Sequence, residues 1–313
     1  MPKQKDIAER ALESYSDVFA DIVNALLFGG RRIVRETELT DAATHSQLKI
    51  EDGLHEQERD VAKFWRNGEI RLALFGMENQ TYPDVDAPLR VFSYDGASYK
   101  EQVNLHVSEK RERKPLSPAY PAVTLILYFG DKPWNAPKSL KERFVDVPPE
   151  LAPFVQDYQI HVFEIAFLEP EQVNLFQSDF RLVADFLVQK RTKKEYMPPE
   201  DTIRHVDEML KLLSAITGDQ RYHEVMEQFD QRERGEVTMC SVMDRAIEKG
   251  RKEGMREGIR EGIREGSLEK EQTTMQVIQA IRDGKSDEQI FSSYPTASED
   301  YIRALRKAII FPS

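Results

Sequence analysis

The chain has 313 residues, a length that suggests about two domains at roughly 150 residues each. Of these residues 40% are hydrophobic, which is enough for a packed core. Its 44 basic and 55 acidic side chains give a formal net charge of −11, which argues against sequence-independent coating of nucleic acid. The single cysteine, Cys240, excludes an internal disulfide and a cysteine-rich zinc module. The longest apolar run, residues 122–129, is too short to span a bilayer, and the first residues show no export signal, so we expect a cytoplasmic protein without a membrane segment.

The first part of the chain predicts an α/β core. Apolar residues spaced three and four apart predict one helix over residues 7–28, which Gly29 and Gly30 stop. Residues 31–57 are polar and predict a connection to the sheet. Residues 60–65 and 70–80, on either side of the turn dipeptide at 67–68, predict a β-hairpin whose second strand is apolar on both faces. Such a strand is typical of the middle of a sheet covered by helices.

The rest of the chain is predicted to be mainly helical. A helix over 89–105 and buried strands over 121–129 and 159–167 complete the core. Helical spacing then continues from Pro170 to about Glu236, and Pro198-Pro199 is a good start for a new helix. Short helices are predicted at 274–282 and 298–309. The predicted divisions are a core over 6–168, a helical lobe over 169–236 and a helical tail over 237–313.

The tail contains a four-residue repeat over 248–266 with glycine at every fourth position. Each interior glycine costs a helix about 1 kcal/mol relative to alanine. Pairs of glutamate and arginine at matched spacing stabilise the helix by only a few tenths of a kcal/mol each. We therefore expect this helix to need a partner, and homo-oligomerisation through the tail is one such arrangement. Its nearly balanced charges do not favour electrostatic capture of DNA.

Two carboxylates of the hairpin are candidates for a metal site. A two-residue loop at Asn67-Gly68 would place Asp60 opposite Phe75 and put Glu78 on the other face. A three-residue loop with a bulge would place Asp60 opposite Gly76, with Glu78 its diagonal neighbour about 7–8 Å away. Gly76 would then leave room for a cation and a phosphate. Mg²⁺ held there would polarise a phosphate and lower the pKa of an attacking water. The alternative is that both carboxylates are solvated strand ends.

Several segments together resemble one known family. They are the end of the first helix (19–28), Glu-Arg-Asp-Val-Ala (58–62), Gly-Met-Glu-Asn-Gln (76–80), the segment 89–102 and the strand 123–130. In this combination the chain resembles the Rpn family of recombination-promoting nucleases, whose members are also called transposases, within the PD-(D/E)XK nuclease superfamily. The resemblance runs from about residue 6 through the helical lobe, and the glycine repeat is also typical of the group.

The resemblance implies a restriction-endonuclease-like core with a mixed central sheet flanked by helices. It implies Mg²⁺-dependent cleavage of double-stranded DNA, with Mn²⁺ as a substitute, and a role in recombination or transposition. Asp60 and Glu78 would be the metal ligands. Gln80 stands where most of the superfamily has a lysine, and it can orient a water without supplying a positive charge. The proline of the family's motif is replaced by Arg59.

Further candidate site residues are chosen by where they lie in the sequence. The superfamily often adds an acid from the first helix, for which Asp21 and Asp17 are candidates, and the alternative is a solvated helix face. Tyr99 and Gln102 stand where similar nucleases brace the site or touch the DNA backbone, and the alternative is a half-buried tyrosine with a surface glutamine. The basic run that includes Lys110 and Arg111 is a candidate phosphate contact, although such runs are often solvated loops.

The sequence supports two hypotheses about function. One is a Mg²⁺-dependent DNA endonuclease that hydrolyses phosphodiester bonds directly. The other is a nuclease-like fold that no longer cuts and serves as a DNA-binding or assembly module, a reading that Gln80 and the acidic net charge favour.

Overall fold

The computed structural model describes residues 2–50, 53–193, 196–226, 229 and 236–310. The chain divides into two compact units, residues 1–245 and 246–313. The predicted helical lobe therefore lies inside the first unit, and most of the predicted tail forms the second. Within the described ranges, no helix is long and apolar enough to cross a membrane.

The elements of the first unit alternate helices and strands and then become helical. In chain order they are α1 (Pro2–Glu13), α2 (Ser16–Phe28), β1 (Leu39–Asp41), β2 (His45–Ile50), β3 (Gly53–Glu58), β4 (Val61–Asn67), β5 (Ile70–Gln80), α3 (Ala87–Arg111), β6 (Ala122–Tyr128), α4 (Leu140–Arg143), β7 (His161–Glu164), α5 (Pro170–Val173), α6 (Phe180–Thr192), α7 (Val206–Thr217) and α8 (Arg221–Met226). A long helix, α9 (Met239–Arg282), begins in this unit and continues into the second.

A mixed sheet of order β1-β4-β5-β6-β7 is the centre of this unit. The pairs β1/β4 and β4/β5 are antiparallel, whereas β5/β6 and β6/β7 are parallel. The parallel step from β5 to β6 is made through α3, because parallel neighbours need a crossover. The predicted α/β class and the central position of β5 are confirmed, and β5 is continuously buried over residues 73–78.

Helices cover both faces of the sheet. On one face, α3 places Ala87 and Val91 in a core cluster with Ile126 and Tyr128 of β6. On the other face, Phe19 of the buried side of α2 lies beneath Lys63 of β4, with 5.8 Å between Nζ and the ring centroid. Side chains alternate along β5, so Gly76, Glu78 and Gln80 face α3 while Asn79 faces the other way.

Both predicted hairpin turns are wrong. Asn67 pairs with Ile70, so the connection consists of Gly68 and Glu69, and Gly68 has a φ of 59°. The register then shifts between Trp65 and Arg66, because Leu72 is an extra residue in β5. Beyond this bulge Ala62 pairs with Gly76, so Asp60 does not face Gly76.

The space beside Gly76 is filled by a side chain of the protein. A Cβ at position 76 would lie 2.4 Å from Cδ of Arg59 and 3.3 Å from Oγ1 of Thr124. Arg59 is only 3% exposed. The expected room for a cation and a phosphate at Gly76 is therefore absent, and the glycine is required by the close approach of Arg59.

Three other predictions of the first unit are corrected. The predicted helix 7–28 is two helices, interrupted at Ser14 and Tyr15. Residues 31–57, predicted as a connection, contain β1, β2 and most of β3, and β2 and β3 pair antiparallel. No helix begins at Pro198-Pro199, and α7 begins at Val206 instead.

The second unit contains the rest of α9, then α10 (Asp287–Ser293) and α11 (Glu299–Ile310). Its small core consists of Val277, Ala280, Ile281, Ile290, Ala297 and Ile302. Ser286 caps α10 by accepting a hydrogen bond from the Gln289 N–H, 3.3 Å away. The predicted repeat helix and the short helix at 274–282 are thus one continuous helix.

Candidate active site

Asp60 lies immediately before β4, beside the end of β5. Its N–H donates to the carbonyl oxygen of Met77, and its Oδ2 accepts from the N–H of Asn79 at 2.6 Å. Arg10 of α1 lies 2.5 Å from Oδ1, measured from its Nη2. The Asp60 carboxylate is therefore fixed between the edge of the sheet and the first helix.

Glu78 lies near the end of β5 and is only 6% exposed. Its Oε1 accepts from Nη2 of Arg90 at 2.6 Å and from Nε2 of Gln80 at 3.1 Å. The bond from Gln80 confirms that these two side chains share a face. The other oxygen, Oε2, is buried and has no hydrogen-bond partner among the described residues. A buried carboxylate oxygen without a donor is costly unless a proton or a cation occupies it.

The first helix supplies an acid that the sequence did not single out. Glu13, 1% exposed, accepts a hydrogen bond through Oε2 from Nδ2 of Asn79 at 2.8 Å. Glu9, one turn earlier on α1, is equally buried. Asn79 therefore joins two acids, since its backbone binds Asp60 while its side chain binds Glu13. We call Glu9, Glu13, Asp60 and Glu78 the acidic cluster.

Burial raises the pKa of two acids in this cluster, Glu78 and Glu13. Burial raises the pKa of Glu78 to about 7; Arg90 opposes that shift, and the Asp60 carboxylate adds to it. Burial, together with the charge of Glu9, also raises the pKa of Glu13 well above its usual range, although the Asn79 hydrogen bond lowers it. Glu78 therefore keeps its proton to a higher pH than a solvated glutamate does. A cation bound at Glu78 would favour the ionised form.

This pKa predicts a pH dependence of stability. The folded state holds the Glu78 proton to higher pH than the unfolded state, so the free energy of unfolding falls as pH rises from about 4.5 to about 7. The glutamine side chain in Glu78→Gln cannot ionise, so the free energy of unfolding of this variant does not fall over that pH range for this reason. In the presence of a chelator, its free energy of unfolding should match that of the wild type near pH 4.5. It should exceed the wild-type value by about 3 kcal/mol above pH 7. Urea denaturation at several pH values measures the difference, and a difference that does not change with pH would contradict the assignment.

Two arginines stand at the exposed side of the acidic cluster. The side chains of Arg10 and Arg90 are 40% and 35% exposed. Besides Glu78, Arg90 binds Asp84, with 2.5 Å between Nη1 and Oδ2. Half-exposed guanidinium groups can exchange a carboxylate for a phosphate, to which their geometry is equally suited.

The other predicted site residues lie elsewhere. Oδ2 of Asp21 accepts from the backbone N–H groups of Gln177 and Ser178 at 2.8 and 2.7 Å, so Asp21 anchors that loop. Asp17 lies 3.1 Å from Nε2 of His205. None of the contacts that the structure gives for these two aspartates brings them to Asp60 or Glu78.

Tyr99 and Gln102 brace the start of β6. The hydroxyl of Tyr99 accepts from the Ala122 N–H at 3.2 Å, while Gln102 binds both the N–H and the carbonyl of Tyr120 at 3.0 Å. Gln102 is 5% exposed, so the alternative of a surface glutamine is wrong. Register pairs Ala122 with Leu74, four residues before Glu78, so this bracing is about 13 Å from Glu78 along the strand.

Lys110 and Arg111 are exposed at the end of α3. They are 20 residues or more beyond Arg90 on the same helix, which corresponds to about 30 Å. They could touch a DNA duplex only well away from the acidic cluster.

The residues that sequence reasoning missed stand beside those it selected. Asn79 lies between Glu78 and Gln80, and Arg90 lies in the segment 89–102 that carries the family resemblance. Glu9 and Glu13 are four apart on α1 and therefore share a helix face. Glu13 was missed because the break at Ser14 and Tyr15 was not predicted. A single helix over 7–28 gives no reason to choose Glu13 over Asp21 as the acid that the first helix adds to the site.

The donor set limits what the site can hold. Among the described residues, no group of three or more His, Cys, Asp or Glu side chains is arranged to hold a metal ion. Two carboxylates, Asp60 and Glu78, remain as candidates for hard oxygen ligands. Mg²⁺ is commonly bound by one or two carboxylates, with water and substrate phosphate completing its coordination.

Comparisons with known proteins identify no relative. No protein-family model, no curated protein and no solved structure matches this chain.

Proposed function

We propose that this chain is a metal-dependent DNA endonuclease that hydrolyses phosphodiester bonds at Asp60 and Glu78. The observation that carries the proposal is the unpartnered, buried Oε2 of Glu78, together with the interaction between the Glu78 and Asp60 carboxylates. Buried acids crowded at one edge of a sheet repel one another, and a divalent cation would relieve that repulsion.

The residues present fit a divalent cation of the Mg²⁺ type. Carboxylate oxygens are the ligands that Mg²⁺ and Mn²⁺ prefer. Asp60 and Glu78 would hold the cation, and their present partners, Arg10 and Arg90, have side chains exposed enough to turn outward. When bound, the cation would polarise a phosphate and lower the pKa of a water.

The protein's own side chains would position the reactants. Arg10 and Arg90 would bind the phosphate and offset its charge. Gln80 is held by Glu78, and its amide oxygen remains able to accept a hydrogen bond from a water. Hydrolysis would be direct, without a covalent intermediate on the protein, because the acids of the cluster serve as ligands and positioning groups.

Four further parts of the proposal rest on the sequence and its resemblance to the Rpn family. They are double-stranded DNA as the substrate, a restriction-endonuclease-like fold, a role in recombination and a cytoplasmic location. The acidic net charge implies that DNA is held locally, at Arg10 and Arg90, and that salt weakens this hold.

A second function stays open because Arg10 and Arg90 already pair with Asp60 and Glu78. A chain in which these pairs are permanent would not bind a cation. It would act as a DNA-binding or assembly module, without cutting.

Incubation of purified protein with supercoiled plasmid tests the proposed function. We expect nicked and linear products with Mg²⁺ or Mn²⁺ and none with a chelator. A folded protein that leaves the plasmid intact in both metals would overturn the proposal and favour the second function.

A further inference from the structure

Tyr94 of α3 lies beside the acidic cluster, and the proposed function does not use it. Only 5% of this residue is exposed. In the described part of the chain, no hydrogen bond joins its hydroxyl to another residue. Because a buried tyrosine hydroxyl usually has a hydrogen-bond partner, the partner of this one is a water or a ligand.

The side of α3 that carries Tyr94 faces the candidate site. Arg90, Tyr94 and Ser98 are four residues apart and therefore share one side of the helix. One turn before Tyr94, Nη2 of Arg90 lies 2.6 Å from Oε1 of Glu78. One turn after Tyr94, Oγ of Ser98 accepts from Nη1 of Arg59 at 3.2 Å. Tyr94 thus lies between the contact with Glu78 and the contact with Arg59.

The ring of Tyr94 is held without help from its hydroxyl. Cζ of Arg59 lies 5.5 Å from the ring centroid, a contact between a cation and the face of the ring. Arg59 is fixed in turn by Asp95, with 2.6 Å between Nη2 and Oδ1. A phenylalanine would fill the same space and make the same contact. The ring therefore has a structural role that does not explain the hydroxyl.

The hydroxyl is within electrostatic range of both proposed metal ligands. Burial raises the pKa of Tyr94, and the negative charges of Glu78 and Asp60 raise it further. The positive charges of Arg90 and Arg59 oppose this rise. A tyrosine hydroxyl is protonated at neutral pH even at its ordinary pKa. Tyr94 therefore supplies a neutral hydrogen-bond donor at the edge of the acidic cluster.

We propose that the Tyr94 hydroxyl donates a hydrogen bond to an oxygen of the phosphodiester that Arg90 binds. This inference rests on the function proposed above and adds Tyr94 to it as a catalytic residue. The oxygens of a phosphodiester only accept hydrogen bonds, and they carry negative charge in the transition state of hydrolysis. A donor on a ring that is already packed in place meets this charge without reorganisation.

The variant Tyr94→Phe, which removes only the hydroxyl oxygen, tests this proposal. The initial rate of plasmid nicking in Mg²⁺ should fall at least about tenfold, because removing one positioned donor slows characterised enzymes by roughly 100-fold or more. The urea concentration at half-unfolding should match that of the wild type, since the ring and its contact with Arg59 remain. Mn²⁺ binding, measured by titration calorimetry, should also be unchanged, because the hydroxyl binds the phosphate and not the cation.

The matched control is Tyr99→Phe, the same exchange on the same helix. The hydroxyl of Tyr99 accepts from the Ala122 N–H at 3.2 Å, at the far end of the strand pair from Glu78. This variant should cut like the wild type.

The outcomes separate this proposal from the proposed function. If the wild type cuts and Tyr94→Phe cuts equally well, the role of Tyr94 is overturned while the proposed function stands. A slower Tyr94→Phe that has also lost Mn²⁺ affinity would overturn it too, because the hydroxyl would then act on the cation site. A folded wild type that cuts in neither Mg²⁺ nor Mn²⁺ would overturn the proposed function and this role of Tyr94 together.

Discussion

Replacing Glu78 by alanine should reduce metal-dependent cutting of plasmid at least about 100-fold, because the cation loses one of its two protein ligands. The buried Oε2 of Glu78 has no other role in the described structure. Initial rates of nicking in Mg²⁺, compared with wild type at equal concentration, measure the effect.

Glu101→Ala is the matched control for this variant, since Glu101 is exposed on α3 and the exchange is the same. It should cut like the wild type. If Glu78→Ala folds normally and retains more than about a tenth of the wild-type rate, the assignment of Glu78 as a ligand is wrong.

Replacing Asp95 by alanine should lower the free energy of unfolding by about 3–5 kcal/mol. Oδ1 of Asp95 accepts from Nη2 of Arg59 at 2.6 Å and from Thr124 at 2.8 Å, and Oδ2 accepts from the hydroxyl of Tyr158. Asp95 is 1% exposed. Without it, the Arg59 charge stays buried and unpaired between α3 and the sheet.

Urea denaturation at neutral pH checks this loss, with Glu101→Ala again as the control on the same helix. A surface exchange of that kind should change the free energy of unfolding by no more than about 0.5 kcal/mol. A loss below about 1 kcal/mol for Asp95→Ala would show that Arg59 is solvated or paired differently.

The strands of the hairpin were predictable because their signals are local. The turn dipeptide at 67–68 and the apolar run of β5 locate both strands in the sequence. The register was not predictable, since it depends on the bulge at Leu72, and one extra residue exchanges the faces of every side chain beyond it. The strands β1, β2 and β3 were missed because they are short and mostly polar.

The shared face of Glu78 and Gln80 was predictable from the alternation along one strand, whereas the surroundings of the candidate site residues depend on distant parts of the chain. Arg59 is buried only because Asp95 lies opposite it, 36 positions later in sequence. Glu13 reaches Asn79 only because α1 ends at Glu13 and α2 begins anew at Ser16. Neither arrangement has a local signature in composition or periodicity.

The proposed function requires that Asp60 and Glu78 together bind one divalent cation. Titration calorimetry with Mn²⁺ on the wild type and on Asp60→Asn/Glu78→Gln tests it without requiring DNA or activity. We predict one Mn²⁺ per wild-type chain at millimolar concentrations or below, and no binding at this site in the double variant. Absence of binding to a folded wild type, or equal binding to both proteins, would contradict a shared cation site at Asp60 and Glu78.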